Sequence, residues 1–427
     1  MIDIDVFREN PERIKKSEKK RGNDPLRIDE IVEYDEKWRD AIQRLNDLRA
    51  KRNKVDREIG ELKKEGKDAE EKISEMKEVN KKIDEFEEKE ENFKRKRDDM
   101  RSKIGAILHE DVPVGEDEND NVEIRKWGEP PEFDFEPRTH KEILEKLGYL
   151  DLERGAKVAG ADFYFLKGDL ALLDMAIRRF AIDRLSEKGF EVVLPPFMVN
   201  SKVYRAIAGD TDDFSEASYA VKGKDYWMIP TAEYPLGGMY MDETLLESEV
   251  PKKMCGASAC FRREGGARGK YSKGLYRVHQ FNKVEQFVLT LPENSWQVFQ
   301  ELQENAEELY KELGLHYRVV NVCTGDIGAK ASKKYDIECW MADGDFHETG
   351  SNSNCLDYQT RELNIKYREG KGEKPKDHLH AVNNTALATS RTMISIIEQN
   401  QNEDGTVTIP EALRPYMGGK ELLKPRK

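Results

Sequence analysis

Residues 261–287 read FRREGGARGKYSKGLYRVHQFNKVEQF, in outline a strand, a glycine-rich loop and a second strand. The Val- and Phe-rich run predicts a strand over 277–290, in which alternate residues share a face. The odd-numbered face then carries Arg277, His279, Phe281, Lys283, Glu285 and Phe287. The even face carries Val278, Val284 and Val288, which suit a core, diluted by Gln280, Asn282 and Gln286. A cation, an aromatic ring and a carboxylate thus point one way at four-residue intervals, roughly 13 Å apart at strand rise. Arg262 and Glu264 share a face on the incoming strand. Such a surface could hold a phosphate, a flat base and an ammonium group in a row. A lone charged strand would otherwise read as a solvated face with cross-strand ion pairs.

Other constellations lie around this stretch. In MIPTAE (228–233), Thr231 and Glu233 are two apart on an expected strand face, where they could take a ligand ammonium. In NNTALATSR (383–391), Arg391 enters an expected helix with Leu387, Ile394 and Ile397 at helical spacing. Three look-alikes are set aside. Gly265 to Lys270 resembles a phosphate-binding P-loop, but it is one residue short and Tyr271 stands where Ser or Thr is needed. KYSK (270–273) and HETG (347–350) echo class I synthetase signatures in the wrong order, without Rossmann-type alternation around them. His378 and His380 lack a third metal ligand nearby.

The elements that must position these residues follow from periodicity. Apolar residues alternate at three and four from Ile31 to Leu62, broken only by Arg52, and again from Met76 to Ile107, interrupted by Glu90 and Arg97. Sustained heptads joined by a short turn at Gly66-Lys67-Asp68 predict an antiparallel coiled-coil hairpin with arms on the order of 50 Å long. Basic residues gather towards its tip: Arg44, Arg49, Lys51, Arg52, Lys54, Arg57, Lys63 and Lys64. They would attract phosphates, although a helical charge run also reads as a solvated face, and such arms also serve as spacers or dimer contacts. A short helix is expected from Pro11 after Asn10, an acidic Pro/Gly-rich linker over 111–139, helices over 169–188 and 295–313, and strands over 190–194, 317–323 and 335–341. The chain of 427 residues has room for two or three domains, and its net charge of -13 requires any RNA-binding surface to be locally basic. The five cysteines are scattered with no C-x-x-C pair, which suits free thiols, and no run is long and apolar enough to span a membrane. The expected localisation is cytoplasmic.

FRREGG followed by GLYRVHQFNKVEQF resembles motif 2 of the class II seryl-tRNA synthetases nearly residue for residue. MIDIDVFRENPE, the helix–Gly-Phe–strand–Pro-Pro run at 169–196, TAE, and the Arg391 segment resemble further signatures of that family, so the likeness covers almost the whole chain. It implies an α+β protein: an N-terminal antiparallel coiled-coil hairpin (1–110) gripping tRNA, the linker, and a class II catalytic domain (140–427) built on an antiparallel sheet flanked by helices. The implied activity is ATP-dependent activation of L-serine and its transfer to tRNA(Ser), and to tRNA(Sec) where that is present, by a homodimer using Mg²⁺. By the same resemblance Arg262, Glu264, Arg277, Val278, Phe281, Glu348, Ser351 and Arg391 hold ATP. Arg262, Arg277 and Arg391 are its catalytic cations, and Glu348 and Ser351 support the metal. Thr231, Glu233, Arg262, Glu285, Asn383 and Thr385 form the serine pocket, and Arg44, Arg49, Lys51, Arg52, Lys54 and Arg57 meet tRNA. The alternatives are a ligase acting on a carrier protein, whose relatives lack the arm, and an inactive RNA-binding paralogue, which should have lost the motif arginines.

Overall fold

In the computed structural model, which describes residues 1–209, 218–264 and 274–426, the apolar repeat folds as two long helices. α1 spans Leu26–Lys64 and α2 spans Glu70–Ser102. Leu45 packs on Val79 and Ile83, with Leu48 and Phe86 closing around them. Arg49 pairs with Glu87 and Lys51 with Glu75, the cross-links of an antiparallel pair. Ile104 and Ile107, the last positions of the repeat, lie beyond the end of α2. Of the polar interruptions of the repeat, Arg52 is exposed, while Glu90 and Arg97 find partners across the hairpin. The Trp38 indole donates to Glu90 at 2.6 Å, and the buried Arg97 donates to Asp35 at 2.9 Å with its guanidinium 4.3 Å from the Trp38 ring centroid. Asp35, 1% exposed, also accepts from Arg8 at 2.8 and 2.9 Å. The expected helix at Pro11–Lys20 is present, and Asn10 accepts from the Arg13 N–H at 3.3 Å as its cap. Residues Ile2–Ile104 form one compact unit; Gly105–Lys427, with Met1, form the other.

The second unit is built on an eight-stranded sheet. In chain order its strands are β1 (Val122–Trp127), β2 (Glu191–Val193), β3 (Lys252–Phe261), β4 (Gln280–Thr290), β5 (Tyr317–Asn321), β6 (Lys333–Trp340), β7 (Phe346–Asn354) and β8 (His380–Ala388). Across the sheet they run β1-β5-β6-β7-β8-β4-β3-β2, antiparallel except for the β2–β3 pair. Helices α3 (Asp169–Glu187), α5 (Ser295–Glu312) and α6 (Thr389–Gln399) share one core with the sheet, in which Phe180, Phe299, Leu302 and Ile394 meet Val284 and Val288. The even face of β4 is therefore the core face, as its valines suggest. Gln286, which seemed to dilute it, is fully buried and donates to Asn384 at 2.9 Å and to the Leu302 carbonyl at 3.1 Å.

Four expectations are corrected. The segment 111–139 is not simply a linker, since it contributes β1 at the sheet edge, and the division between the units falls at residue 104. Its side chains are mostly exposed, and its one short alternation, Val122-Glu123-Ile124-Arg125, is lost in an acidic Pro/Gly-rich segment. β4 starts at Gln280, leaving Arg277 and His279 ahead of it, because its partner β3 ends at Phe261 opposite Gln280. Glu233 is not on a strand: it opens the short helix α4 (Glu233–Gly238), and its N–H donates to the Thr231 hydroxyl at 3.2 Å. Leu387 lies on β8, and the helix that carries Arg391 starts only at Thr389. The rejected P-loop likeness at 265–270 and the KYSK run lie outside the described residues.

Candidate active site

Strand register delivers the first polar wall. Thr385 on β8 lies opposite Glu285 on β4, and Asn383 lies opposite Phe287, so Glu285, Thr385 and Asn383 project on the side away from the helical core. On the next strand Ser353 pairs with Asn383, and Ser351 of β7 with Asp336 of β6. α4 brings Glu233 against this wall. That approach needs Gly256 on β3, where a Cβ would come within 2.8 Å of the Ala232 Cβ and of Leu236. Together these elements enclose a cleft of about 790 Å³ whose lining includes Thr231, Glu233, Arg262, Glu264, Glu285, Glu348, Ser351, Asn383 and Thr385.

Of the expected residues, Arg277, Val278, Phe281 and Arg391 are not part of that lining; Arg277, Phe281 and Arg391 stand against residues that are. The Arg262 Nε donates to the Pro230 carbonyl at 3.4 Å, and its guanidinium lies 5.2 Å from the Phe281 ring centroid. Phe281, 9% exposed, packs with Val278, Cys260 and Ala388. Arg277 sits 3.5 Å from Glu264, whose φ of +43° places it in the left-handed region, a strained backbone for a non-glycine residue. Arg391 reaches Glu348 at 3.1 Å, donates to its carbonyl at 3.0 Å, and stacks 4.3 Å from the Tyr276 ring centroid. Burial alone would raise the Glu348 carboxyl, but Arg391, then Lys334 and Arg262, override it and lower it to about 2. Glu348 is thus an anion held beside cations.

Glu285 lies deeper, 2% exposed. Burial raises its pKa, against the pull of Lys283, whose ammonium lies against its carboxylate and also donates to the Thr385 hydroxyl at 3.2 Å. Glu233 is held by three donors: Gln359 at 2.7 Å, Asn383 at 3.1 Å and Lys330 at 2.6 Å to each oxygen. The arrangement offers buried acceptors for an ammonium and a hydroxyl at one end and cations for phosphate at the other. Sequence reasoning missed Lys330, Gln359 and the role of Lys283. Lys330 and Gln359 come from segments without any telling spacing, and Lys283 read as one more charge on a strand.

In the helical unit, Arg49 and Lys51 are engaged with Glu87 and Glu75, and Arg44 lies 3.7 Å from Asp40. Arg52, Lys54 and Arg57 are exposed on α1.

Comparisons with known proteins bear on both units. The family described as seryl-tRNA synthetase N-terminal domain matches residues 1–108, and the tRNA synthetase class II core domain (G, H, P, S and T) matches residues 219–400. A serine–tRNA ligase of Methanocella arvoryzae is 45% identical over 426 residues, covering 99% of this chain and 100% of its own. The crystal structure of seryl-tRNA synthetase from Pyrococcus horikoshii complexed with ATP superposes with a TM-score of 0.95 at 44% identity, covering 100% of both chains. Cytoplasmic serine–tRNA ligase from Naegleria fowleri in complex with AMP gives 0.89 at 38% identity, over 100% of this chain and 99% of that one.

Proposed function

The chain belongs to the seryl-tRNA synthetases, and from that membership and the chemistry of the cleft we infer how its own residues divide the work. It is an enzyme that activates serine with ATP and transfers the seryl group to tRNA. A serine carboxylate oxygen bonds to the α-phosphorus as the bond to pyrophosphate breaks; a tRNA ribose hydroxyl then attacks the seryl carbonyl and AMP leaves. Neither step requires a covalent bond to protein, so catalysis rests on positioning and charge stabilisation.

Glu233 takes the serine ammonium, with Thr231 and Asn383 beside it, and Glu285 with Thr385 takes the hydroxyl. A buried site that hydrogen-bonds a hydroxyl leaves unpaired groups when alanine enters, which can reject it about 10⁴-fold. Threonine must be excluded by shape. Arg262 holds the α-phosphate, Glu264 reads the adenine amino group, Phe281 with Val278 backs the ring, and Arg277 and Arg391 take the outer phosphates. Mg²⁺ fits at Glu348 and Ser351: an ionised carboxylate and a hydroxyl are its preferred oxygen donors, and Asp336 opposite Ser351 keeps a buried oxygen without a hydrogen-bond partner. The ion would supply neutralisation of phosphate charge, and exchange activity should vanish in EDTA.

Residues 1–104 form the tRNA-gripping arm, the rest the catalytic part. Assembly is a homodimer through the β2 edge, where Val192, Leu194, Phe197 and Met198 are exposed, and through Leu172 and Met175 on α3. Leu194→Asp should give a monomer in sedimentation velocity. Among the described residues no helix is long and apolar enough to cross a membrane, consistent with a cytoplasmic site of action, which fractionation would test.

The observation that carries the serine reading is Glu285, a buried acceptor paired with Lys283, which also donates to Thr385, in the cleft that Arg262 lines. Glu285→Ala should abolish serine-dependent ATP–pyrophosphate exchange while ATP still binds. An exchange rate within a few-fold of the parent would remove Glu285 from the pocket.

A further inference from the structure

Lys330 lies between β5 and β6, and its backbone is pinned on both sides. The Ala106 N–H donates to the Ala329 carbonyl at 2.7 Å, and the Ser332 N–H donates to the Asn354 carbonyl at 2.8 Å. The Ser332 hydroxyl also donates to the Ile107 carbonyl at 2.6 Å. From that fixed base the side chain reaches into the cleft, where its ammonium donates at 2.6 Å to both oxygens of Glu233. Glu233 Oε1 is already crowded, taking Gln359 at 2.7 Å and Asn383 at 3.1 Å. Lys330 therefore covers the carboxylate that the serine reading gives to the substrate's ammonium. Two ammonium groups on one carboxylate repel each other in a partly enclosed site, where charges interact more strongly than in water. Burial opposes the charge on Lys330, but Glu233 outweighs it and raises its pKa, so the group stays cationic. Its side chain is 25% exposed, and a lysine stem is flexible enough to swing towards solvent without moving the backbone.

We propose that Lys330 is a resident stand-in for the substrate ammonium: it occupies Glu233 in the empty pocket and is displaced when serine binds. The proposal rests on the serine-pocket reading of Glu233. A tethered competitor lowers apparent affinity by the fraction of time it holds the site, and it does so for every amino acid alike. It therefore sets KM for serine without setting kcat or the choice among amino acids. It also gives the buried Glu233 carboxylate a counter-charge when no substrate is present, since its other partners, Gln359 and Asn383, are neutral.

The test is steady-state ATP–pyrophosphate exchange with the full-length enzyme and its Lys330→Met, Lys330→Gln and Glu233→Gln variants. At saturating ATP, Lys330→Met and Lys330→Gln should lower the serine KM about fivefold, as when the lysine holds the site roughly 80% of the time. The kcat, the ATP KM and the serine-to-threonine preference should stay within twofold. Serine should also raise the melting temperature of both variants by more than it raises that of the parent, because it no longer competes with the lysine. An unchanged or raised serine KM in both variants overturns the proposal and makes Lys330 a fixed part of the pocket. Glu233→Gln separates the two layers of inference. If it leaves the serine KM unchanged, the pocket reading itself is wrong. If it raises KM while the Lys330 variants lower nothing, only the displacement fails.

Discussion

Arg262 lines the cleft where β3 ends, and among the cleft cations it is the one assigned to the α-phosphate, where negative charge builds as pyrophosphate leaves. A contact made chiefly in the transition state is worth about 2.7–4 kcal/mol, by analogy with an oxyanion donor, so Arg262→Ala should cut the activation rate roughly 10²- to 10³-fold at saturating ATP. A single-turnover rate close to the parent's would make Arg262 a structural cation. The residue-level site was legible where a motif covers it. Arg262, Glu264 and Glu285 were singled out by the likeness of residues 261–287 to a family motif, because alternating charge alone reads equally well as a solvated strand face. The partners of those residues were not visible. Lys330 and Gln359 meet Glu233 only because the segment leading into β6 and the helix Tyr358–Glu362 bring them to it, and no local pattern encodes such a meeting.

Elements decide how those side chains arrive. Thr231 and Glu233 look like strand neighbours because an alternating pair and a helix-opening turn can share a spelling; the Glu233 N–H donating to the Thr231 hydroxyl two residues back marks a turn. Gly256 lets α4 press against β3, so Gly256→Val should push α4 outward at an overpacking cost of about 1–3 kcal/mol. Serine KM should rise well before ATP KM does, and equal changes in the two would mean that α4 does not place Glu233. The hairpin shows a second way in which elements hide information. Its heptads predicted the helices, yet the apparent flaw at Arg97 is where a buried ion network sits. Burial would raise Asp35, but Arg8 and Arg97 override it and lower its pKa. A carboxylate depressed in the folded state contributes stability above its unfolded value of about 3.9 and loses it as pH falls through the lower folded value. Removing one partner of a buried pair costs about 3–5 kcal/mol, so Asp35→Ala should unfold the arm at lower denaturant, and the gap from the parent should close in strong acid. Far-UV circular dichroism against guanidinium at pH 7 and pH 2 reads this out; an equal midpoint at pH 7 would remove the network from the stability of the arm.

At the scale of the molecule, the division into a helical arm and a sheet-based unit was legible from the change of period, from heptads to alternating runs bounded by glycine and proline. The edge strand β1 was not, because its short Val122–Ile124 alternation is too brief to stand out in an acidic segment rich in proline and glycine. The division predicts that the two half-reactions are separable. Every residue assigned to the cleft lies in the unit beyond residue 104, while the exposed cations Arg52, Lys54 and Arg57 lie on α1. Replacing residues 44–87 by a short Gly-Ser turn would remove the distal arm and leave Asp35, Trp38, Glu90 and Arg97 in place to close the stump. That enzyme should still make seryl-adenylate at close to the parent rate, since every residue assigned to the cleft lies outside the deleted stretch. It should charge tRNA with a much higher KM if the exposed cations of the arm hold tRNA phosphates, as proposed. The slope of log affinity against log salt should also flatten by about 0.9 for each phosphate contact removed, as each no longer releases a counterion. Pyrophosphate exchange run beside charging across a salt series, with tRNA(Ser) and tRNA(Sec) as separate substrates, distinguishes the outcomes. Charging that survives with unchanged tRNA affinity and salt slope would leave the arm as a spacer, and loss of exchange along with charging would mean that the two units do not work independently.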